Sequence, residues 1–281
     1  MNTTIELVTL APLDGIDFDR RFGGIARLYG AAALPRFRAA RVCVVGVGGV
    51  GSWVVEALAR SAIGHLTLID LDNVAESNIN RQIQALSATL GQAKVTALAQ
   101  RIELINPYCR VTEVEDFVTP DNLEQMIGAH DFDYVVDAID SVPAKSALIA
   151  YCSARAIPLI TIGSAGGQID PTRIEVRDLA RTEQEPLLAK VRKLLRAQHG
   201  FPRGAKNKFG IDAVFSTEPL RFPESSDGCA LDTDGITGLN CAGFGSAMVV
   251  TASFGMVAAA HVLRMLAATG SPAGAAIVAA D

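Results

Sequence analysis

Apolar runs of four or five residues alternate, over the first 168 positions, with longer segments in which apolar residues recur at helical spacing. The runs at 42–45, 66–70, 111–114, 134–137 and 159–162 read as strands; the segments 53–62, 91–105, 121–127 and 144–154 read as helices. This alternation predicts an α/β fold, a doubly wound, mainly parallel Rossmann-like sheet with helices on both faces and ligands at the strand C-termini. Residues 1–39 read as an N-terminal arm, 40–168 as the nucleotide-binding unit, and 169–281 as a substrate-binding and C-terminal helical extension of the same fold. No internal repeat is visible. The stretch 242–263 has no acid, lysine or arginine and nearly the length of a membrane span. Its Gly, Ala, Ser and Thr content and the Arg264 that follows favour a buried or dimer-interface helix instead, with Phe244, Met248, Phe254, Val257 and Val262 packed and His261 a core or helix-end histidine.

Composition changes this picture little. At 281 residues and 49% hydrophobic content the chain can bury a substantial core, and a net charge of −5 gives no global sign of nucleic-acid binding. The first residues lack the basic-then-apolar pattern of a secretory signal, which predicts a cytoplasmic protein without disulfides.

The chemistry is concentrated between Gly46 and Lys94. The first strand breaks into Gly46-Val-Gly48-Gly49-Val-Gly51-Ser52 and then into a helix. Glycines let the backbone turn tightly and approach a phosphate, whose charge then sits at the helix N-terminus. The pattern alone serves a nicotinamide or flavin dinucleotide equally well, and Asp70, at the end of the next strand, suits a ribose hydroxyl in either case. The continuation separates them: Asp72, Asn78, Arg81, Gln82 and Lys94 follow within a short span. Hydride chemistry has little use for these cations, whereas a triphosphate being cleaved needs charge-assisted donors. Asp140, near the end of a later strand, is a candidate Mg²⁺ ligand. The loop Gly163-Ser164-Ala-Gly166-Gly167-Gln168 is placed to face nucleotide and substrate.

Over residues 20–167 this set resembles the ubiquitin-activating-enzyme superfamily in its ThiF- and MoeB-like adenylating branch. The resemblance implies that Gly46, Gly48, Gly49 and Gly51 form the phosphate turn, Asp70 holds the ribose, and Asn78, Arg81, Gln82 and Lys94 surround ATP, with Asp72 beside them. Arg81, Lys94 and Asp140 would be the catalytic residues, Asp140 assisting the metal. The superfamily commonly sends an arginine across a homodimer interface to ATP. Arg21 aligns with the first arginine of that motif, Gly24 replaces the second, and Arg27 lies nearby. Cys43, Cys109, Cys152, Cys229 and Cys241 include no Cys-x-x-Cys pair, so the zinc site of many such proteins is not expected. Cys229 and Cys241 are better placed than Cys43 for a thioester, although solitary cysteines are more often core residues.

Between 190 and 208 stand seven cations and no acid: Lys190, Arg192, Lys193, Arg196, Arg203, Lys206 and Lys208. They form either one solvated helix face with a flexible loop or a phosphate-backbone site in a mobile cover over the cleft. With Arg21-Phe-Gly-Gly24, Gly46 to Trp53, Asn80-Arg-Gln82, Asp137-Ala-Ile-Asp-Ser141, Gly166-Gly-Gln-Ile-Asp-Pro171 and Val214-Phe-Ser-Thr-Glu218, the whole chain resembles the tRNA threonylcarbamoyladenosine dehydratase branch. That resemblance implies ATP- and Mg²⁺-dependent cyclisation of N6-threonylcarbamoyladenosine at position 37 of tRNA through an acyl-adenylate. It also implies assistance by a cysteine desulfurase and its sulfur-acceptor protein. The alternatives are adenylation of a ubiquitin-like sulfur carrier and a non-catalytic nucleotide-binding scaffold.

Overall fold

The computed structural model describes residues 16–204, 207–222 and 244–268. The arm is helical where described. Asp17 caps α1 (Phe18–Tyr29) by accepting a hydrogen bond from the Arg20 amide at 2.9 Å, and α2 (Ala33–Ala39) buries Phe37 completely.

Strands β1 (Arg41–Val45), β2 (His65–Ile69), β3 (Arg110–Val114), β4 (Tyr134–Asp137) and β5 (Leu159–Ile162) occupy the five apolar runs. Two further strands, β6 (Ile174–Asp178) and β7 (Asp212–Ser216), complete one sheet in the order β3-β2-β1-β4-β5-β7-β6. All neighbours are parallel except β6, which runs antiparallel to β7 at the edge. The expected mainly parallel α/β sheet is therefore present, two strands larger than the apolar runs indicate.

Successive residues of β1 point to opposite faces. Val42 and Val44 enter a core shared with α2, α3 (Gly51–Arg60), α4 (Lys94–Ile105) and α7 (Met248–Ala268). Cys43 and Val45 face the other layer, with α5 (Val142–Ala154) and α6 (Pro186–Gln198). Helix α7 is long and apolar enough to cross a membrane, yet it packs as a core helix: Phe254, Ala258 and Val262 are fully buried, and a Cβ on Gly255 would lie 2.7 Å from the Val50 carbonyl of the α3 turn. Val257 packs against the same core and Phe244 is half-buried, but Met248, expected to be packed, is exposed at the first turn. Two helix boundaries also differ from expectation. The chain between Gly91 and Lys94 is still a turn, with Gly91 at φ 82°, and residues 121–127 yield only a single wide turn, Glu124–Gly128.

In such a sheet the crevice opens where the strand order reverses, here between β1 and β4. That is the position of the glycine turn.

Candidate nucleotide site

The turn after β1 is built around close backbone approach. Gly46 adopts φ 83°, and a Cβ there would come 2.9 Å from the Ala138 carbonyl; at Gly51 it would come 1.9 Å from the Gly46 carbonyl. Only glycine lets α3 start this close to the strand. No side chain caps α3; its Ser52 and Trp53 amides donate to the Gly48 and Val50 carbonyls at 3.1 Å, and the positive end of the helix dipole still points at the turn. Asp70 braces the turn from β2: one oxygen accepts from the Val47 amide at 2.8 Å and the other from the Asp72 amide at 3.0 Å.

Around the turn lies a cleft of about 610 Å³ lined by Gly46, Gly48, Gly49, Asp70, Asp72, Asn78, Arg81, Gln82, Lys94 and Asp140, ten of the expected site residues. Lys94 is only 6% exposed, and its ammonium bonds Asp72 at 2.6 Å and stands 3.8 Å from Asp70. The Arg81 stem lies over Gly49, and its guanidinium donates to the Ser77 carbonyl at 2.6 Å and to Asn80 Oδ1 at 3.1 Å. Its own carbonyl accepts from Trp53 Nε1 at 2.9 Å, which fixes the segment against α3. Gln82 is buried and accepts from Gln84 Nε2 at 3.1 Å; Asn78 Oδ1 accepts from the Ala75 amide at 3.0 Å.

Not every expected residue reaches the cleft. Gly51 lies behind it as a packing residue. Arg21 lies elsewhere on the chain, in a hollow with Arg60 and Arg101, and donates to the Ile105 carbonyl at 3.0 Å. The basic segment is no mobile cover. Four of its seven cations stand on α6, which is initiated by Pro186, capped by Glu185 and anchored by buried Leu187, Leu188, Val191 and Leu195. Arg192 bonds Thr182, and Arg196 lies 5.1 Å over the Phe209 ring. Lys190, Lys193, Arg203 and Lys208 are exposed, and Lys206 lies outside the described residues. Cys229 and Cys241 also lie outside them. Burial pushes the Cys109 and Cys152 thiols up to about 12 and raises Cys43 as well, which leaves the described cysteines without thiolate character.

Two groups beside the cleft, Lys145 and Glu185, carry no signal in the sequence motifs, and Asp137 belongs to one without a role assigned there. Lys145 and Asp137 form a completely buried ion pair at 3.0 Å. Burial pushes the Asp137 carboxyl up, opposed by Lys145, the Thr161 hydroxyl and the Ile139 amide. Glu185, also buried and pushed upward by burial, accepts from the Ser164 amide at 2.9 Å and from the first amides of α6. One clue to Lys145 exists: it is the only charge within the apolar span of α5. Residues 116–120 also line the cleft.

A glycine turn at the switch point of a doubly wound sheet, flanked by an arginine, a lysine and an aspartate, defines a nucleotide-binding protein of the ThiF type. The ThiF family model matches residues 21–279, and the chain belongs to the ThiF family. It is 50% identical over 261 residues to the tRNA threonylcarbamoyladenosine dehydratase of Haemophilus influenzae, covering 92% of this chain and 97% of the relative. It is 55% identical over 254 residues to the enzyme of that name from Escherichia coli, covering 89% and 94%. The crystal structure of the E. coli dehydratase in complex with ATP superposes with a TM-score of 0.80 at 53% identity, covering 89% of this chain and 94% of that one.

Proposed function

We propose that this chain uses ATP to activate the carboxylate of N6-threonylcarbamoyladenosine at position 37 of tRNA and closes it to the cyclic form. The observation that carries the reading is the convergence of the glycine turn, Arg81, Lys94 and Asp140 on one cleft, in a chain half identical to dehydratases. A free carboxylate resists nucleophiles. Attack of its oxygen on the α-phosphorus of ATP expels pyrophosphate and leaves an acyl-adenylate, a mixed anhydride. The neighbouring carbamoyl group then attacks the acyl carbon, loses its proton and expels AMP. This second step is intramolecular, and such proximity can lower a barrier by roughly 7–11 kcal/mol, so no cysteine nucleophile is required.

The chain's own residues supply alignment and charge. Arg81 is held by neutral acceptors and Lys94 by a carboxylate that is 58% exposed, so each can exchange its partner for a phosphate oxygen. Among the described residues no cluster of three or more His, Cys, Asp or Glu can hold a metal by itself. Asp140 at the cleft fits Mg²⁺ carried by ATP, since that ion is commonly bound through one or two carboxylates together with phosphates and water. When bound, the ion neutralises charge on the departing pyrophosphate.

Exposed Lys190, Lys193, Arg203 and Lys208 are the proposed tRNA contacts. Helix α6 begins at the cleft, where Leu187 is part of the lining, and Lys190 and Lys193 follow three and six residues on, about 5 and 9 Å further along its axis. An anticodon loop in the cleft would thus place stem phosphates beside α6. A C₂ homodimer belongs to the same reading, supported by exposed Val249 and Met256 on α7 and exposed Leu86 and Leu90 nearby in sequence to the cleft residues; Arg21 would then reach the partner's nucleotide. Assistance by a cysteine desulfurase and its sulfur acceptor, and a cytoplasmic location, rest on the resemblance.

The test is incubation with ATP, Mg²⁺ and tRNA carrying the open modification. The expected result is AMP and pyrophosphate release with a modified nucleoside lighter by one water. AMP release with a sulfur-carrier protein and none with tRNA would replace this reading by the carrier-activating one.

A further inference from the structure

The strip Ala138–Asp140 is pressed between two parts of the molecule. From above, the Ala138 carbonyl approaches the glycine turn so closely that a Cβ on Gly46 would lie 2.9 Å from it, and the Ala138 side chain occupies the space beside Gly51. From below, the Lys145 ammonium donates to the Asp137 carbonyl at 3.2 Å and to the Ile139 carbonyl at 2.9 Å, while pairing with Asp137 Oδ1 at 3.0 Å. Those are all three of its protons. Lys145 is wholly buried and does not line the cleft, so it has neither a donor nor access to offer a substrate.

The pair is itself braced. Asp137 Oδ2 accepts from Thr161 of β5 at 2.7 Å, and Oδ1 accepts from the Ile139 amide at 3.1 Å. Lys145 also acts electrostatically on Glu185, which holds the Ser164 amide on the opposite wall. One ammonium therefore sits beneath both loops that close the cleft at the β4 and β5 ends. An apolar side chain of the same length would fill the volume but supply none of these three donors.

We propose that Lys145 is a positioning residue for adenylation: by binding the carbonyls of Asp137 and Ile139 it fixes the height of the strip that carries Asp140 and abuts the phosphate turn. This rests on the proposed adenylating function. A misplacement of about 1 Å can cost roughly 100-fold in rate, and Lys145 itself does not line the cleft where ATP would bind. Lys145 thus acts on turnover more than on ATP affinity.

The test separates positioning from charge balance. Lys145→Met leaves a buried carboxylate without its cation, which destabilises; adding Asp137→Asn removes that charge and should restore much of the stability. Melting temperature, ATP affinity and AMP formation with modified tRNA are measured for wild type, Lys145→Met and Lys145→Met/Asp137→Asn. The expected result is a double variant with recovered melting temperature, ATP affinity within about threefold of wild type, and AMP formation still reduced on the order of 100-fold. If Lys145→Met does not fold, the double variant alone decides. Turnover that recovers together with stability overturns the inference, because Lys145 would then only balance charge. Wild-type protein that releases no AMP refutes the proposed function and this inference together, whereas an active wild type beside an equally active double variant refutes the inference alone.

Discussion

Lys94 in the cleft is 6% exposed and already bonded to Asp72, whereas Lys190 and Lys193, three residues apart on one face of α6, stand in solvent. The first arrangement fixes a cation at one point before a ligand arrives; the second leaves cations to follow a polyanion. In low-dielectric surroundings an oriented charge interacts strongly with developing charge and needs little reorganisation. On the surface, screening makes each charge weak, and only several together matter. Within the basic segment the same division recurs, since Arg192 and Arg196 are turned onto Thr182 and Phe209.

The contrast breaks most sharply in the cleft. Arg81→Ala and Lys94→Ala should each lower AMP formation by about 100- to 1,000-fold, the cost of removing one donor to developing charge. Both should keep the secondary structure seen by circular dichroism, with a lower melting temperature for Lys94→Ala, which frees 58% exposed Asp72 and also takes the cation from 10% exposed Asp70. A folded Arg81→Ala protein of undiminished activity would refute its assignment. On α6 the expected effect is smaller and shared. Changing Lys190, Lys193, Arg203 and Lys208 to serine should weaken tRNA binding and flatten its salt dependence, by just under one logarithmic unit of slope per lost phosphate contact, with ATP affinity unchanged. An unaltered slope would reduce the strip to a solvated face. Changing Arg192 and Arg196 instead should cost about 1–3 kcal/mol of stability, measured by denaturant unfolding, with the salt slope nearly intact.

The smallest effect is a pH dependence at Glu185. Burial raises its carboxyl above the ordinary value of 4.5, so the folded chain holds that proton more tightly than the unfolded one. Its contribution is full below pH 4.5 and is lost as pH rises from there through the raised folded value, at about 1.4 kcal/mol for each tenfold gain in proton affinity on folding. Glu185→Gln should flatten that part of the melting-temperature profile. An identical profile for the two proteins would show that the carboxyl is not desolvated.

What the sequence reveals depends on how local the determinant is. Strands β1 to β5 are apolar runs bounded by turns, and the glycine turn is a steric requirement written into consecutive residues. Strand β6 escapes such a reading because, as an edge strand, its Ile-Glu-Val-Arg-Asp composition has no continuous apolar run. Strand β7 is legible only as the Val-Phe-Ser part of a motif. In α6 the charges draw attention away from the Leu187, Leu188, Val191 and Leu195 periodicity that makes it a packed helix. The cations of the cleft are visible as a spacing, but Lys145 acquires its place only when α5 folds back beneath β4. Nothing within the arm announces that Phe37 is wholly buried.

The spatial order β5-β7-β6 differs from the order in which the ribosome makes these strands. When β5 emerges its free edge has no partner, and none arrives until Asp212, after β6 and α6 have been synthesised. During that interval a row of unpaired amides and carbonyls along a fully buried strand is open to other nascent chains, the arrangement most prone to wrong pairing. Insertion of β7 then closes the gap between β5 and β6 in a late, non-local event, which makes it the natural slow step of folding.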